Sequence, residues 1–178
     1  MKKRMLQVAA GFCAAVMVMT GCGAKEAAES VDLREVSLDE IIEKAKEEGL
    51  RLKAHVGEWG SANDVIQAIN KLHLDEVQHG IAAAHSKEAM DFLKEKKIRL
   101  NITPSSNVLL GRVASMKEHP ISILFRNGVD VTINSDDVLI FDSDVSQEYL
   151  RLYQSGCLSA KELNEIRLIG IQIPNEIS

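Results

Sequence analysis

The sequence predicts an α/β domain. Helix-like and strand-like segments alternate singly from about residue 37 onward, and a polar or ionisable residue falls where each strand ends. Single alternation of this kind is satisfied by parallel strands joined through right-handed crossover helices.

Ser37, with Glu40 three residues on, forms a capping box, and Ile41, Ile42, Ala45 and Leu50 give the following helix one apolar side until Gly49 stops it. Leu50 to His55 alternates as a strand does. Asn63 is placed to cap a second helix carrying Val65, Ile66, Ile69 and Leu72, and Glu76 to Gly80 reads as a short second strand. Ser86 caps a third helix with Ala89, Met90, Phe92 and Leu93, and Ile98 to Ile102 forms the third strand. Pro120 suits the first turn of a short helix through Phe125, ended by Asn127-Gly128, and Val129 to Asn134 is the fourth strand. Two closing helices run over about Asp144 to Ser155 and Ser159 to Ile169.

The N-terminus is a separate object. Lys2, Lys3 and Arg4 precede an almost uncharged stretch from Met5 to Met19, too short for a comfortable membrane span. It ends in Met19-Thr20-Gly21-Cys22, which resembles the lipobox of bacterial lipoproteins, where the signal is cut before a cysteine that then carries lipid. An ordinary signal peptide and an uncleaved anchor are the alternatives. The expected division is a signal over residues 1–21, a tether over 22–35 and a domain over 36–178, with Cys22 lipidated and the mature chain exported and anchored to the outer face of the bacterial cytoplasmic membrane.

Composition narrows the function. Apolar residues at 46% and charged residues at 26% suit a globular chain, and a net charge of −5 disfavours a nucleic-acid partner, which needs a concentrated basic surface. Of the three cysteines, only Cys157 falls in the domain, so no disulfide framework and no Cys-x-x-Cys zinc ribbon is possible there. Cys157 itself reads as an inert thiol at a helix end.

The chemistry-bearing residues sit at successive strand ends: His55 with Glu58 in the loop beyond it, His79, the Thr103-Pro-Ser-Ser-Asn107 loop, and Asp136-Asp137. In a βα barrel these ends form one rim. Each residue alone has a plainer role: a strand-end histidine is often structural, and paired aspartates are often a solvated turn or a helix cap. Adjacent residues inside a strand point to opposite faces, so Asp136 and Asp137 can serve one site only where the strand ends and the chain turns.

Together the motifs resemble the adenosine deaminase family of metal-dependent hydrolases. His55-Val-Gly-Glu58 is similar to its His-Ala-Gly-Glu, Glu76-Val-Gln-His79-Gly80 to its Arg-Ile-Gly-His-Gly, Thr103-Pro-Ser-Ser-Asn107 to its Cys-Pro-Thr-Ser-Asn, and Val131-Thr-Ile-Asn-Ser-Asp136-Asp137 to its Val-Thr-Ile-Asn-Thr-Asp-Asp. Glu118-His119-Pro120 and Gln147-Glu148-Tyr149 follow in family order. The resemblance implies the last four βα units of a (β/α)8 TIM-type barrel. It implies hydrolytic deamination of adenosine or a related aminopurine with Zn2+ as cofactor. His55 and Asp136 would be zinc ligands, Glu58 the proton donor to the purine ring nitrogen, His79 the group that orients or deprotonates the water, and Asp137 a hydrogen-bond partner of the purine. The chemistry suits these residue types, because a zinc-held water reaches a pKa of about 7 and protonating the ring makes its carbon electrophilic.

The family's first strand supplies two further zinc ligands as His-x-His, and no His-x-His occurs in this sequence. His73 and His85 lie beside helices and do not replace it. Thr103, Gln78 and Val138 stand where Cys, Gly and Pro are usual. A full barrel holds eight βα units in about 250 residues. The chain alone is therefore expected to be weakly active or inactive, with a complementing N-terminal half or a homodimer as partner. A non-catalytic remnant and a nucleoside-binding lipoprotein are the alternatives. Its four strands are expected to leave two open edges and an apolar inward face that drives self-association. Trp59 reads as a rim or packing residue, and His119 as the start of a helix.

Overall fold

The computed structural model describes residues 36–171, so the leader, the tether and Cys22 lie outside the described residues. Four parallel strands, β1 (Lys53–Val56), β2 (Glu76–His79), β3 (Arg99–Ile102) and β4 (Val131–Ile133), lie side by side in chain order. The helices are α1 (Leu38–Glu47), α2 (Ala62–Leu72), α3 (Lys87–Glu95), α4 (Pro104–Leu109), α5 (Ile121–Arg126), α6 (Val138–Phe141), α7 (Val145–Gln154) and α8 (Ala160–Ile171), with 3-10 turns at Ile81–His85 and Met116–Glu118. The α/β class is as the alternation predicts, and no helix among the described residues is long and apolar enough to cross a membrane.

Local signals set the element ends. The Ser37–Glu40 capping box forms, with the Glu40 amide donating to Ser37 Oγ and the Ser37 amide to Glu40 Oε2. The second helix is capped by Ser61 rather than Asn63: Ser61 Oγ accepts from the Asp64 amide and Asp64 completes the box, which a serine three residues before an aspartate satisfies and Asn63 does not. The strands are shorter than the alternation suggests, because only the residues in register with a neighbour pair. Lys53 faces Glu76, Glu76 faces Arg99, and Asn101 faces Thr132.

Alternation divides the sheet into two faces. Val77, Leu100, Ile102, Val131 and Ile133 are buried in the core with Val65, Ile69, Leu93, Ile121 and Leu124 from the helices. The other face bounds a cavity of about 710 Å3 lined by Lys53, Gln78, Arg99, Asn101, Thr132 and Asn134 among others. Here the expectation of an apolar inward face is overturned. Glu76, with no exposed surface, receives Arg51 at 2.9 Å, Lys53 at 2.7 Å and Arg99 at 2.6 Å. The ladder continues as Asn101 donates to Glu76 (2.8 Å), Thr132 to Asn101 (2.8 Å) and Asn134 to Thr132 (2.8 Å). Arg51 just before β1, with Lys53, Gln78 and Asn101 within the strands, supplies the polar half of each alternation. α8 packs beside β4, where a methyl group on Gly170 would meet Thr132 Cγ2 at 3.6 Å. Among the described residues β1 has no second strand neighbour.

Two glycines make the strand ends possible. Gly57 has φ +75°, and a β-carbon there would lie 2.5 Å from Val65 Cγ2 and 3.1 Å from the Gly80 Cα. Gly80 has φ +70°, and its β-carbon would strike Leu100 Cδ2 at 2.7 Å. The turns after β1 and β2 thus pass too close for any side chain.

A candidate deaminase half-site at the strand ends

His55 lies in β1, His79 ends β2, Thr103 and Asn107 follow β3, and Asp136 and Asp137 follow β4. All leave the sheet at the same end. The His55 and His79 rings stand 5.4 Å apart between centroids, tilted by 50°. Glu58, in the loop that Gly57 turns, brings Oε1 to 3.6 Å from His79 Nδ1.

Asn107, fully buried, organises this pair. Its Nδ2 donates to Glu58 Oε1 at 2.8 Å and lies 3.4 Å from His79 Nδ1. The orientation of that amide is fixed from behind by His119. The Ile121 amide donates to His119 Nδ1 at 3.1 Å, so the ring carries its proton on Nε2, which reaches Asn107 Oδ1 at 3.3 Å. His119 lies just before the Pro120 cap of α5, close to the helix start that the sequence suggests, and its ring holds the buried amide in place. Its own position before Pro120 gives no sign of the second task, because the contact spans the Thr103–Asn107 loop. Thr103 Oγ1 lies 3.1 Å from His79 Nδ1, so the residue standing where a cysteine is usual keeps a polar contact to the imidazole.

The loop itself is anchored by Glu148, 1% exposed, whose Oε2 accepts from the Ser105 amide at 2.9 Å, and by Arg151, which donates to Ser105 Oγ at 2.7 Å. Glu148 was findable. Val145, Glu148, Tyr149 and Leu152 form an i, i+3, i+4, i+7 row on α7, and a carboxylate inside an apolar row needs a buried partner.

Burial and the nearby His55 imidazole lower the His79 pKa below its ordinary value, while Glu58 and Asp136 oppose that fall. His79 is therefore neutral near pH 7, the form in which an imidazole accepts a proton. It also adopts φ +66°, a left-handed conformation that a non-glycine residue holds only where its surroundings enforce it. Asp137 caps α6: its Oδ1 accepts from the Leu139 and Ile140 amides at 3.0 and 3.2 Å, and its own amide donates to Asp136 Oδ1 at 3.0 Å. Both plainer roles considered for paired aspartates are thus partly met, by one helix cap and one turn. Trp59 is a rim residue, 59% exposed, with the Arg112 guanidinium 3.5 Å over its ring. Cys157 is buried, and burial raises its thiol pKa, in keeping with an inert role.

Burial holds the His119 pKa down at about 3, against an ordinary 6.5. Between those values the unfolded chain binds a proton that the folded chain does not, so stability falls as pH drops below 6.5. Urea denaturation at about pH 5 and about pH 7 should show a wild-type loss approaching ~1.4 kcal/mol per pH unit from this group. The His119→Gln variant should lose that much less between the two conditions, whatever its absolute stability.

A four-stranded parallel α/β sheet with imidazoles and carboxylates gathered at its strand ends is the arrangement of part of a βα barrel with its polar residues on one rim. The adenosine deaminase family model matches residues 3–173, and the chain belongs to that family. It is 37% identical over 153 residues to an adenosine deaminase of Plasmodium falciparum, covering 84% of this chain and 41% of that protein. It is 37% identical over 123 residues to an adenine deaminase of Chlorobium phaeobacteroides, covering 69% of this chain and 37% of that one. The fold matches the crystal structure of an adenine deaminase from Arthrobacter aurescens with a TM-score of 0.70 at 26% identity, over 92% of this chain and 50% of that one. It also matches a zinc-bound amidohydrolase from Burkholderia ambifaria with a TM-score of 0.64 at 24% identity, over 73% of this chain and 37% of that one. The chain spans about half or less of the length of these relatives.

Proposed function

We propose that this chain supplies one half of a zinc-dependent purine deaminase site, acting on adenosine or a related aminopurine once the strands of the other half close the barrel. The observation that carries this is the joined set His119–Asn107–Glu58–His79 at the strand ends, with His55 and Asp136 beside it.

Imidazole nitrogen and carboxylate oxygen are the donors zinc takes in such sites, so the residues present fit the metal as part of its ligand set. Among the described residues no three His, Cys, Asp or Glu side chains are grouped to hold an ion by themselves, and a catalytic site needs three protein ligands and an open position. His55 and Asp136 would hold zinc together with ligands from other strands. When bound, zinc supplies a water acidic enough to attack near neutral pH. Glu58 has Oε1 engaged by Asn107, which leaves Oε2 to carry the proton for the purine ring nitrogen. Neutral His79 takes or steers the water's proton. Asp137 has both of its capping bonds on Oδ1, so Oδ2 is the oxygen offered to the purine. Overall, water adds at the amine-bearing carbon, its protons pass to the departing nitrogen, and ammonia leaves.

The test is complementation. The purified full chain with zinc and adenosine or adenine should show only a trace rate, and mixing it with a polypeptide carrying the first four βα units and their His-x-His should restore turnover. Lack of a three-ligand cluster favours a second possibility, a nucleoside-binding protein without catalysis. Saturable adenosine binding with no turnover in the complemented mixture would favour that instead.

Export and lipidation at Cys22 belong to the same proposal, supported by the Lys2–Arg4 start, the apolar run and Met19-Thr-Gly-Cys22. Mass spectrometry of the membrane fraction should find a diacylated or triacylated chain starting at Cys22, lost in Cys22→Ala. An intact, unmodified N-terminus would overturn the lipidation.

A further inference from the structure

Among the described residues, the inward face of the sheet carries more positive charge than it neutralises. Three cations, Arg51, Lys53 and Arg99, converge on the single carboxylate of Glu76. The Arg99 Nε is buried and meets no hydrogen-bond partner among the described residues. Arg167 from α8 lines the same cavity, and no acidic residue lines it among the described residues. Arg51 and Lys53 tolerate this because their side chains remain 37% and 42% exposed, and water solvates the excess.

Closing a barrel over this face removes that water. An unpaired buried ion costs several kcal/mol, so closure is favourable only if the arriving strands neutralise the cations. We infer that the face of Lys53, Glu76 and Arg99 is an acid-seeking interface, and that the strands which close this half-barrel present a carboxylate opposite Lys53 and Arg99. This rests on the proposal that another half completes the barrel, and it names the chemistry of that half. A second unaltered copy of the chain is the wrong occupant, because it brings the same excess of cations to the same layer.

The probe is a second copy with its charges mirrored: Arg51→Glu, Lys53→Glu, Glu76→Lys and Arg99→Glu together. Each ion pair within that copy survives with reversed sign while the copy presents an acidic face, and Asn101, which donates to Glu76 in the wild type, turns its amide so that Oδ1 accepts from the lysine. Sedimentation of the full chains in mild detergent and zinc-free buffer should show wild type and mirrored copy associating one to one, roughly tenfold or more tighter than either with itself, and weakening as salt is raised. Equal or weaker hetero-association would overturn the inference. Should the mirrored copy not fold, Lys53→Gln alone decides: removing one excess cation should tighten self-association of the full chain, and unchanged or weaker self-association would overturn the inference. Neither readout involves metal or substrate. Failed complementation with intact hetero-association would sink the deaminase proposal and leave this one standing.

Discussion

In the complemented enzyme, Glu58→Gln should lower kcat by about 10²–10⁴-fold while zinc content and KM for the aminopurine change little. Gln keeps the volume and can still accept from Asn107 Nδ2, so the contact that places the side chain at 2.8 Å survives. What it loses is a proton to give. Glu58 has one oxygen bound by Asn107 and lies 3.6 Å from His79, so the proposed acid is held in place and its loss is not made good by the imidazole, which is assigned to the water. Steady-state rates from the loss of adenosine absorbance, with zinc measured on the same sample, separate this from a folding effect. A rate within threefold of wild type, on the order of 0.6 kcal/mol, would remove Glu58 from the chemistry.

Glu76→Gln should destabilise the domain by roughly 3–5 kcal/mol, the usual cost of breaking a buried ion pair by removing one partner. Burial would raise the pKa of this carboxyl, but Lys53, Asn101 and Arg99 together outweigh burial and hold it below its ordinary 4.5. The amide would leave Arg51, Lys53 and Arg99 facing one another across a layer with no anion. The pH sense follows from the lowered value: the stabilisation is fully present above 4.5 and is lost as pH falls through the folded pKa, so acid should narrow the difference between variant and wild type. Urea titration at about pH 7 and about pH 3 checks both statements. Pairing Glu76→Gln with Lys53→Gln should recover part of the loss, since one of the three stranded cations is gone.

The strand order, the helix caps at Ser37 and Ser86, and the stop at Asn127-Gly128 were legible because each is set by residues within a few positions of one another. The left-handed turns at Gly57 and Gly80 sit inside motifs that are recognisable for the same local reason. Contacts between distant segments were not legible. Asn107 reaches Glu58 across 49 residues, and Glu148 reaches Ser105 across 43, so no local pattern announces either. The polar inward face was misjudged for another reason. The inward face was expected to be apolar, yet Lys53, Glu76 and Arg99 occupy one register layer, and only the pairing of strands shows that they meet. The motifs place His55, Glu58, His79, Asp136 and Asp137 at or just beyond the strand ends, and the structure brings His55, Glu58 and His79 together there. Their supports, Thr103, Asn107 and His119, were quoted among those motifs without a task, and the structure gives each one a partner.

The most direct test is zinc retention, measured by competition with a chromophoric chelator, on the full chain alone and on the chain mixed with a polypeptide bearing the first four βα units. The chain alone should surrender zinc readily, because His55 and Asp136 are too few ligands to hold it. The mixture should retain one zinc per site, and either His55→Ala or Asp136→Ala should release it. Tight retention by the chain alone that survives both substitutions would contradict the half-site and place the metal elsewhere.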